Sequence, residues 1–97
     1  PSDWKLIPLE GQGKRVERQG VVKSLGFTIN RPTRYRLVAY RDGSRAEMVC
    51  YLWGNDDKLA AIAGRTVRIT GQQYWLQDQR YPVLTVDAVD DVTDQAF

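Results

Sequence analysis

The stretch Gly64–Val89 constrains the fold more than any other part of this sequence. Val67 and Ile69 alternate with polar residues, and the same alternation returns after a short polar loop over Gln77–Arg80. A period of two is typical of β-strands that bury one face. The stretch therefore predicts two long strands joined by that loop, with the return strand over Tyr81–Val89.

Four residues refine this hairpin. Gly71 interrupts the first strand and predicts a bulge or a sharp bend. Pro82 has no N–H group, so it must lie at the start of the return strand or on an open edge. Leu84 and Val86 alternate with polar residues and are predicted to face the core.

The residues before the hairpin predict three further strands, over Lys14–Leu25, Arg34–Arg41 and Arg45–Trp53. Gly20 in the middle of the first strand indicates strong bending. By composition the segment 26–33 is a loop, and residues 42 and 43, Asp-Gly, form a strong hairpin-turn signal between the second and third strands.

A short helix is predicted between the third and fourth strands. Asn55 suits the N-cap, and two aspartates follow it at the positive end of the helix dipole. Leu59 and Ile62 begin one apolar stripe, and Gly64 supplies the stop. A helix of this length is not stable alone, so we expect it to plug the open end of a barrel.

Alternation also assigns the faces of the second and third strands. The predicted inward set is Tyr35, Leu37, Ala39, Met48, Cys50 and Leu52. The predicted outward set is Arg34, Arg36, Val38, Tyr40, Glu47, Val49, Tyr51 and Trp53. Cys50 is the single cysteine and is expected to be a buried structural thiol.

Three strands, a short helix and two strands follow one another in this chain. A five-stranded Greek-key barrel with a helix between strands 3 and 4 is the OB-fold, so we predict a mainly β chain of that class. An SH3-like small barrel is the alternative architecture. The predicted organisation is a linker or N-terminal arm over 1–13, the barrel over 14–90 and a frayed acidic tail over 91–97.

Residues 16–90 resemble the OB-like domains of bacterial envelope proteins, some of which lie next to SH3-like modules. The motifs that carry the resemblance are GVV at 20–22, YRLV at 35–38, VCYL at 49–52, GRTVRITG at 64–71 and RYPVLTVDAV at 80–89. The resemblance implies a multidomain bacterial parent, with a periplasmic or cell-envelope location favoured over a cytoplasmic one. It implies a fold more than a function, because many such domains have no assigned activity.

The composition argues against catalysis. The sequence contains no histidine, so the commonest general base and the Ser-His-Asp arrangement are absent. One cysteine without histidine does not make an ordinary zinc site, and no cofactor is expected. No apolar run approaches the roughly 20 residues of a membrane helix, so membrane insertion is not expected.

Basic residues are concentrated in the first half of the chain. Residues 14–45 hold nine Lys or Arg against Glu17 and Asp42, a local net charge of +7. Solvated strand faces, balanced by the acidic second half of the chain, would also account for this charge. The candidate ligand-binding residues lie on the outer face of strands 2 and 3 and in the flanking loops: Arg31, Arg34, Arg36, Tyr40, Tyr51, Trp53, Trp75 and Arg80.

Two kinds of partner fit this aromatic and arginine-rich face. The favoured hypothesis is a non-catalytic interaction module whose partner is a protein, a glycan or a neighbouring domain. The alternative is a domain that binds single-stranded nucleic acid, with aromatic rings stacking on bases and arginines on phosphates. A purely structural spacer is the third hypothesis, and the oligomeric state is left open.

Overall fold

The computed structural model of the protein describes residues 4–26, 31–41 and 45–93. Within those ranges the chain is mainly β, with five strands and one short helix. The elements in chain order are β1 (Lys14–Ser24), β2 (Tyr35–Arg41), β3 (Arg45–Trp53), α1 (Asp56–Ala61), β4 (Thr66–Tyr74) and β5 (Val83–Asp91). The predicted turn at residues 42 and 43, and residues 27–30 of the predicted first loop, lie outside the described residues.

The five strands form one sheet that closes into a ring. The order of neighbours is β1, β2, β3, β5, β4, and β4 pairs again with β1. Each pair is antiparallel except β3 with β5, which is parallel and short. Because the ring closes, both edges of β1, β2 and β4 are paired for part of their length.

The inner cluster fills this ring. Its buried members are Val22, Leu37, Cys50, Leu52, Leu59, Val67, Ile69 and Leu84. Val16, Tyr35, Val49, Ile62 and Val86 are partly buried against it. The predicted inward faces of β4 and β5 are therefore confirmed, since Val67, Ile69 and Leu84 have no exposed surface.

The helix begins and ends close to where the sequence predicts. Asn55 is the N-cap, and its side-chain oxygen accepts a hydrogen bond from the N–H of Lys58 at 3.1 Å. Leu59 is buried in the inner cluster and Ile62, the C-cap residue, packs against it. Gly64, two residues beyond the C-cap, has a φ of +82°, and its N–H donates to the carbonyl oxygen of Val22 in β1 at 2.7 Å.

Two glycines allow strands of the ring to approach each other closely. The register of β4 against β5 shifts between Thr70 and Gly71, which confirms the predicted irregularity at this glycine. A Cβ atom at Gly71 would lie 1.8 Å from the carbonyl oxygen of Thr85. A Cβ atom at Gly20 would lie 2.4 Å from the carbonyl oxygen of Val38. Any side chain at either position would require the backbone to move.

A second set of apolar residues, the outer cluster, covers the outer face of β3. Its buried members are Tyr51, Leu76 and Val83, and Trp4, Leu25, Met48 and Tyr81 pack against them. These residues come from β3, from the first residue of β5, from the N-terminal arm, and from the segments after β1 and between β4 and β5. The ring therefore has apolar packing on both sides of β3.

The predicted face of Met48 is wrong because β3 contains a bulge. Leu37 pairs with Cys50, but the next residue, Val38, pairs with Met48, so Val49 is an extra residue in β3. Beyond an extra residue the alternation reverses, and Met48 therefore joins the outer cluster while Val49 packs against the inner one. Val38, predicted to face outward and to be accessible, is 1% exposed.

The arm before β1 is attached to the loop that follows β4. Leu6 forms an isolated antiparallel bridge with Leu76. The Gln12 side chain donates to the carbonyl oxygens of Ile7 and Trp75, both at 2.8 Å, and accepts from the Trp75 N–H at 2.7 Å. The arm therefore packs along the outside of the ring.

The bounds of the last strand differ from those predicted. β5 begins at Val83, so Pro82 immediately precedes it, in the position that its missing N–H favours. The strand continues to Asp91, two residues beyond the predicted end. Beyond the strand, Val92 is buried and Thr93 hydrogen-bonds with Thr66, and the frayed tail over 91–97 stays a prediction. Residues 94–97 lie outside the described residues.

Candidate binding surface

A cleft of about 500 Å³ opens where the segment before β2 faces the segment between β3 and α1. We call it the Trp53 cleft. Its lining residues are Arg31, Pro32, Thr33, Arg34, Leu52, Trp53, Gly54, Asn55, Asp56 and Asp57. Three candidate residues from the sequence, Arg31, Arg34 and Trp53, are thus brought together at one site.

Trp53 supplies the apolar surface of this cleft. It is the last residue of β3 and 43% exposed, although its indole ring packs against that of Trp4. The two ring centroids are 5.5 Å apart at an interplanar angle of 75°, an edge-to-face contact. Trp4 therefore holds the Trp53 ring in place while leaving much of it accessible.

A second recess of about 250 Å³ continues from the other side of this aromatic pair. It is lined by Trp4, Leu6, Trp53, Tyr74 and Thr85, none of which is charged. The sequence interpretation did not include Trp4 among the candidate residues. The only sequence signal for Trp4 was that it is a large apolar residue in an irregular arm. No local pattern indicated which strand that arm contacts.

The rear of the Trp53 cleft is held by polar contacts. Thr33 is buried, and its hydroxyl donates to the carbonyl oxygen of Tyr35 at 2.7 Å. Arg31 donates from Nη1 to the hydroxyl of Tyr51 at 3.4 Å. Tyr51 itself is 4% exposed, so it cannot present its ring to a ligand as the sequence interpretation required. Its role at the site is to position Arg31.

The charge at the Trp53 cleft is mixed. Arg34 forms an ion pair with Asp56 at 3.4 Å, and Asp57 also lines the cleft. Basic residues of the first half of the chain likewise meet acidic residues of the second half elsewhere, since Arg15 pairs with Asp87 at 3.4 Å. Part of the basic excess in residues 14–45 is therefore balanced locally.

The remaining candidate residues lie away from the cleft. Tyr40, 45% exposed, is towards the other end of β2, with the Lys23 ammonium 5.8 Å from its ring centroid. Trp75 is half-buried, and its main chain is bound by Gln12. Arg80 is exposed, with its guanidinium 5.9 Å from the ring centroid of Tyr81. The candidate set is therefore not one continuous site.

Arg36 occupies an unusual position on β2. Its neighbours in the adjacent strands are Lys23 and Tyr51. The side chain is half-buried, and among the described residues its buried Nε has no hydrogen-bond partner. It does not line the Trp53 cleft.

The described residues contain no group of three or more His, Cys, Asp or Glu side chains placed to hold a metal ion. Cys50 is fully buried, as predicted, and burial raises the pKa of its thiol to about 12 although the positive charge of Arg18 acts in the opposite direction. A thiol in this environment is a weak nucleophile. No helix in the described ranges is long and apolar enough to cross a membrane.

Comparison with known proteins gives no relative for this chain: no family model, no curated protein and no solved structure matches it.

Proposed function

We propose that this chain is a non-catalytic interaction module that binds a segment of another protein at the Trp53 cleft. The observation that carries the proposal is the exposed Trp53 ring, supported by Trp4 and flanked by Arg31 and by the Arg34–Asp56 pair. Exposed aromatic and arginine side chains are the residue types that dominate binding energy at protein interfaces.

The proposed architecture is an OB-fold. The neighbour order β1, β2, β3, β5, β4, the parallel contact between β3 and β5, and the helix between β3 and β4 support it. In this architecture the outer face of strands 2 and 3 with its flanking loops is the usual ligand surface. The resemblance to modules of bacterial envelope proteins supports a partner segment in the same multidomain protein or in its surroundings.

The mixed charge of the cleft favours a polypeptide over a nucleic acid. A phosphate backbone requires cations that are available to it, whereas Arg34 is already paired with Asp56 and Asp57 lies beside them. A polypeptide can match such a surface with charges of both signs and with an apolar side chain against Trp53. Single-stranded nucleic acid stays the alternative, because Arg31 and Trp53 offer a cation and a stacking surface in one cleft.

The proposal can be tested with a displayed library of random twelve-residue peptides selected on the wild-type domain. We expect selected peptides to bind with dissociation constants on the order of 1–100 μM, and at least tenfold more weakly to Trp53→Ala, because its ring fills the centre of the surface. Tyr40→Ala is the matched control, since Tyr40 is equally exposed but lies outside the cleft. Equal binding to the wild type and Trp53→Ala would contradict the proposal.

Fluorescence anisotropy of a labelled dT oligonucleotide tests the alternative. Binding that weakens steeply with salt and is lost in Arg31→Ala would replace the polypeptide proposal with a nucleic-acid one. No binding at low salt, where non-specific attraction is strongest, would remove nucleic acid from consideration.

A further inference from the structure

Among the described residues, the second half of β5 has a strand neighbour on one side only. β3 pairs with β5 through three residues, Tyr51–Trp53 against Val83–Thr85, and the chain then enters α1. β4 pairs with β5 as far as Asp91. Within the described ranges, residues 86–91 therefore form an edge with no strand beside it, which we call the β5 edge.

The register shows which main-chain groups lie on this edge. Val92 N–H donates to the carbonyl oxygen of Thr66 in the direction of β4, at 2.9 Å. In an antiparallel strand, every second residue directs its N–H and C=O groups to the same neighbouring strand. The N–H and C=O groups of Ala88 and Asp90 therefore also point to β4. The N–H and C=O groups of Val89 and Asp91 then point away from β4, where an added strand would meet them.

An apolar groove runs beside the β5 edge. It has a volume of about 370 Å³ and lies between α1 and β5. Leu59 and Ile62 line it from the helix side, and Val86 and Val89 line it from the strand. Val89 is 38% exposed, a large fraction for a valine inside a strand. An extended segment paired with this edge would lay alternate side chains over the groove.

The charges beside the edge select the partner. Asp87, Asp90 and Asp91 lie within five residues, and only Lys58 among the groove-lining residues is basic. Arg15 pairs with Asp87 and Arg65 pairs with Asp91, so among the described residues Asp90 is the carboxylate of this set that forms no ion pair. Pairing of two copies through this edge would bring the Asp90 carboxylates of both copies to the interface, which like-charge repulsion opposes. A segment carrying Lys or Arg would instead be attracted.

We propose that the β5 edge binds an extended basic segment of another protein by β-strand addition. In that segment, apolar side chains that enter the groove alternate with Lys or Arg side chains that face Asp90. The site is separate from the Trp53 cleft, because the two sets of lining residues share only Asn55. The proposal therefore does not depend on the proposed function.

A capped, fluorescein-labelled peptide of eight residues that alternates valine and lysine is the first probe. We expect a dissociation constant on the order of 10–100 μM at low salt, and at least tenfold weaker binding when alternate peptide nitrogens are methylated. Methylation removes the hydrogen-bond donors and leaves the charge unchanged. Equal binding of the two peptides would show attraction by charge alone and would overturn the proposal.

Amide hydrogen exchange, followed residue by residue, locates the peptide. We expect the N–H groups of Val89 and Asp91 to exchange on the order of tenfold more slowly when the peptide is bound. Ala88 and Asp90 are the internal controls, because their N–H groups already face β4. Protection at other residues but not at Val89 and Asp91 would overturn the proposal.

Two variants complete the test. Val89→Pro removes one donor from the edge without removing a hydrogen bond to β4, and we expect at least fivefold weaker binding of the valine–lysine peptide. Tyr40→Ala, at a residue that lines neither the groove nor the Trp53 cleft, should bind that peptide like the wild type. If Val89→Pro melts at a much lower temperature than the wild type, its weaker binding could come from unfolding. The hydrogen-exchange measurement on the wild type then decides whether the peptide binds at the β5 edge. A different result is slower exchange of the Val89 amide when the protein concentration is raised without peptide, with a dimer detected by sedimentation. That result would assign the edge to a second copy of this chain and overturn the proposal.

Discussion

The inner and outer clusters lie on opposite faces of β3 but are built differently. The inner cluster draws its residues from all five strands and α1, so hydrogen-bonded ladders hold nearly all of its walls. The outer cluster rests on β3 and on the first residue of β5, and the arm and the loop between β4 and β5 cover it. That cover depends on few main-chain hydrogen bonds and on the side chain of Gln12.

This difference predicts two levels of stability. Opening the inner cluster requires the ring to break, which is global unfolding. Opening the outer cluster requires only that the arm leave the loop, which is a local event of lower free energy. The comparison also assigns roles: the ring holds the shape, and the cover places Trp4 against Trp53.

Thiol labelling gives the largest expected difference between the clusters. Cys50 is in the inner cluster and has a pKa raised to about 12 by burial, so a disulfide reagent at pH 8 should label it only after unfolding. We expect labelling slower than that of the denatured protein by a factor on the order of 1,000 or more. A Leu76→Cys reporter in a Cys50→Ala background should label faster through local opening. Rapid labelling of native Cys50 would contradict the comparison.

Truncation of Leu84 should cost the most stability. Its side chain is fully buried in the inner cluster, and Leu84→Ala is expected to lower the free energy of unfolding by about 2–5 kcal/mol. Urea denaturation followed by tryptophan fluorescence measures this change. A loss within about 0.5 kcal/mol would mean that the side chain is not part of the core.

Removal of the Gln12 side chain should affect the cover alone. Gln12→Ala removes three hydrogen bonds at once, and we expect a loss of about 1–2 kcal/mol together with faster exchange of the Ile7 amide, which bonds to Trp75. The N–H of Ile69 in the ring should keep its protection. Equal acceleration at both amides would show that the clusters open together.

The aromatic contact at the surface should contribute less. Because Trp53 is 43% exposed, we expect Trp53→Ala to lower the free energy of unfolding by about 0.5–1.5 kcal/mol, through loss of the edge-to-face contact with Trp4. Trp4→Ala in the same denaturation experiment is the matched comparison. An unfolded Trp53→Ala protein would instead place Trp53 among the residues that hold the fold.

The smallest expected effect is a pH dependence at Asp91. Hydrogen bonds from Arg65 and Thr93 lower its pKa from 3.8 to about 2. Because the folded pKa is the lower one, this stabilisation is present above pH 4 and is lost as the pH falls through about 2. Carboxyl NMR titration should show the low pKa in the wild type and a value nearer 3.8 in Arg65→Ala. An unchanged pKa in that variant would exclude Arg65 as its cause.

The elements that the sequence predicted well depend on local signals. Alternation at Val67 and Ile69, the glycine at 71 and the cap at Asn55 each need only their neighbours to be interpreted. The bulge at Val49 carries no glycine or proline, so the predicted face of Met48 was wrong. The burial of Tyr51 depends on segments distant in sequence, which a strand pattern does not reveal.

The same limit applied to the candidate site. Arg31, Arg34 and Trp53 were predicted as binding residues and do line one cleft, whereas Tyr40 and Arg80 do not. The alternation of residues along a strand predicts which side chains share one face of a sheet. It does not predict that a distant segment, such as the arm that carries Trp4, packs against that face.

Closure of the ring through β1 and β4 also determines how the chain must fold. Lys14 pairs with Gln73, so this ladder closes a loop that contains β2, β3 and α1. The entropy of closing such a loop must be lost before its contacts form, and chains dominated by distant pairings reach the native state in milliseconds to seconds rather than microseconds. Until the last ladder forms, β1 and β4 both have unpaired edges, and in that interval the chain is most prone to aggregate.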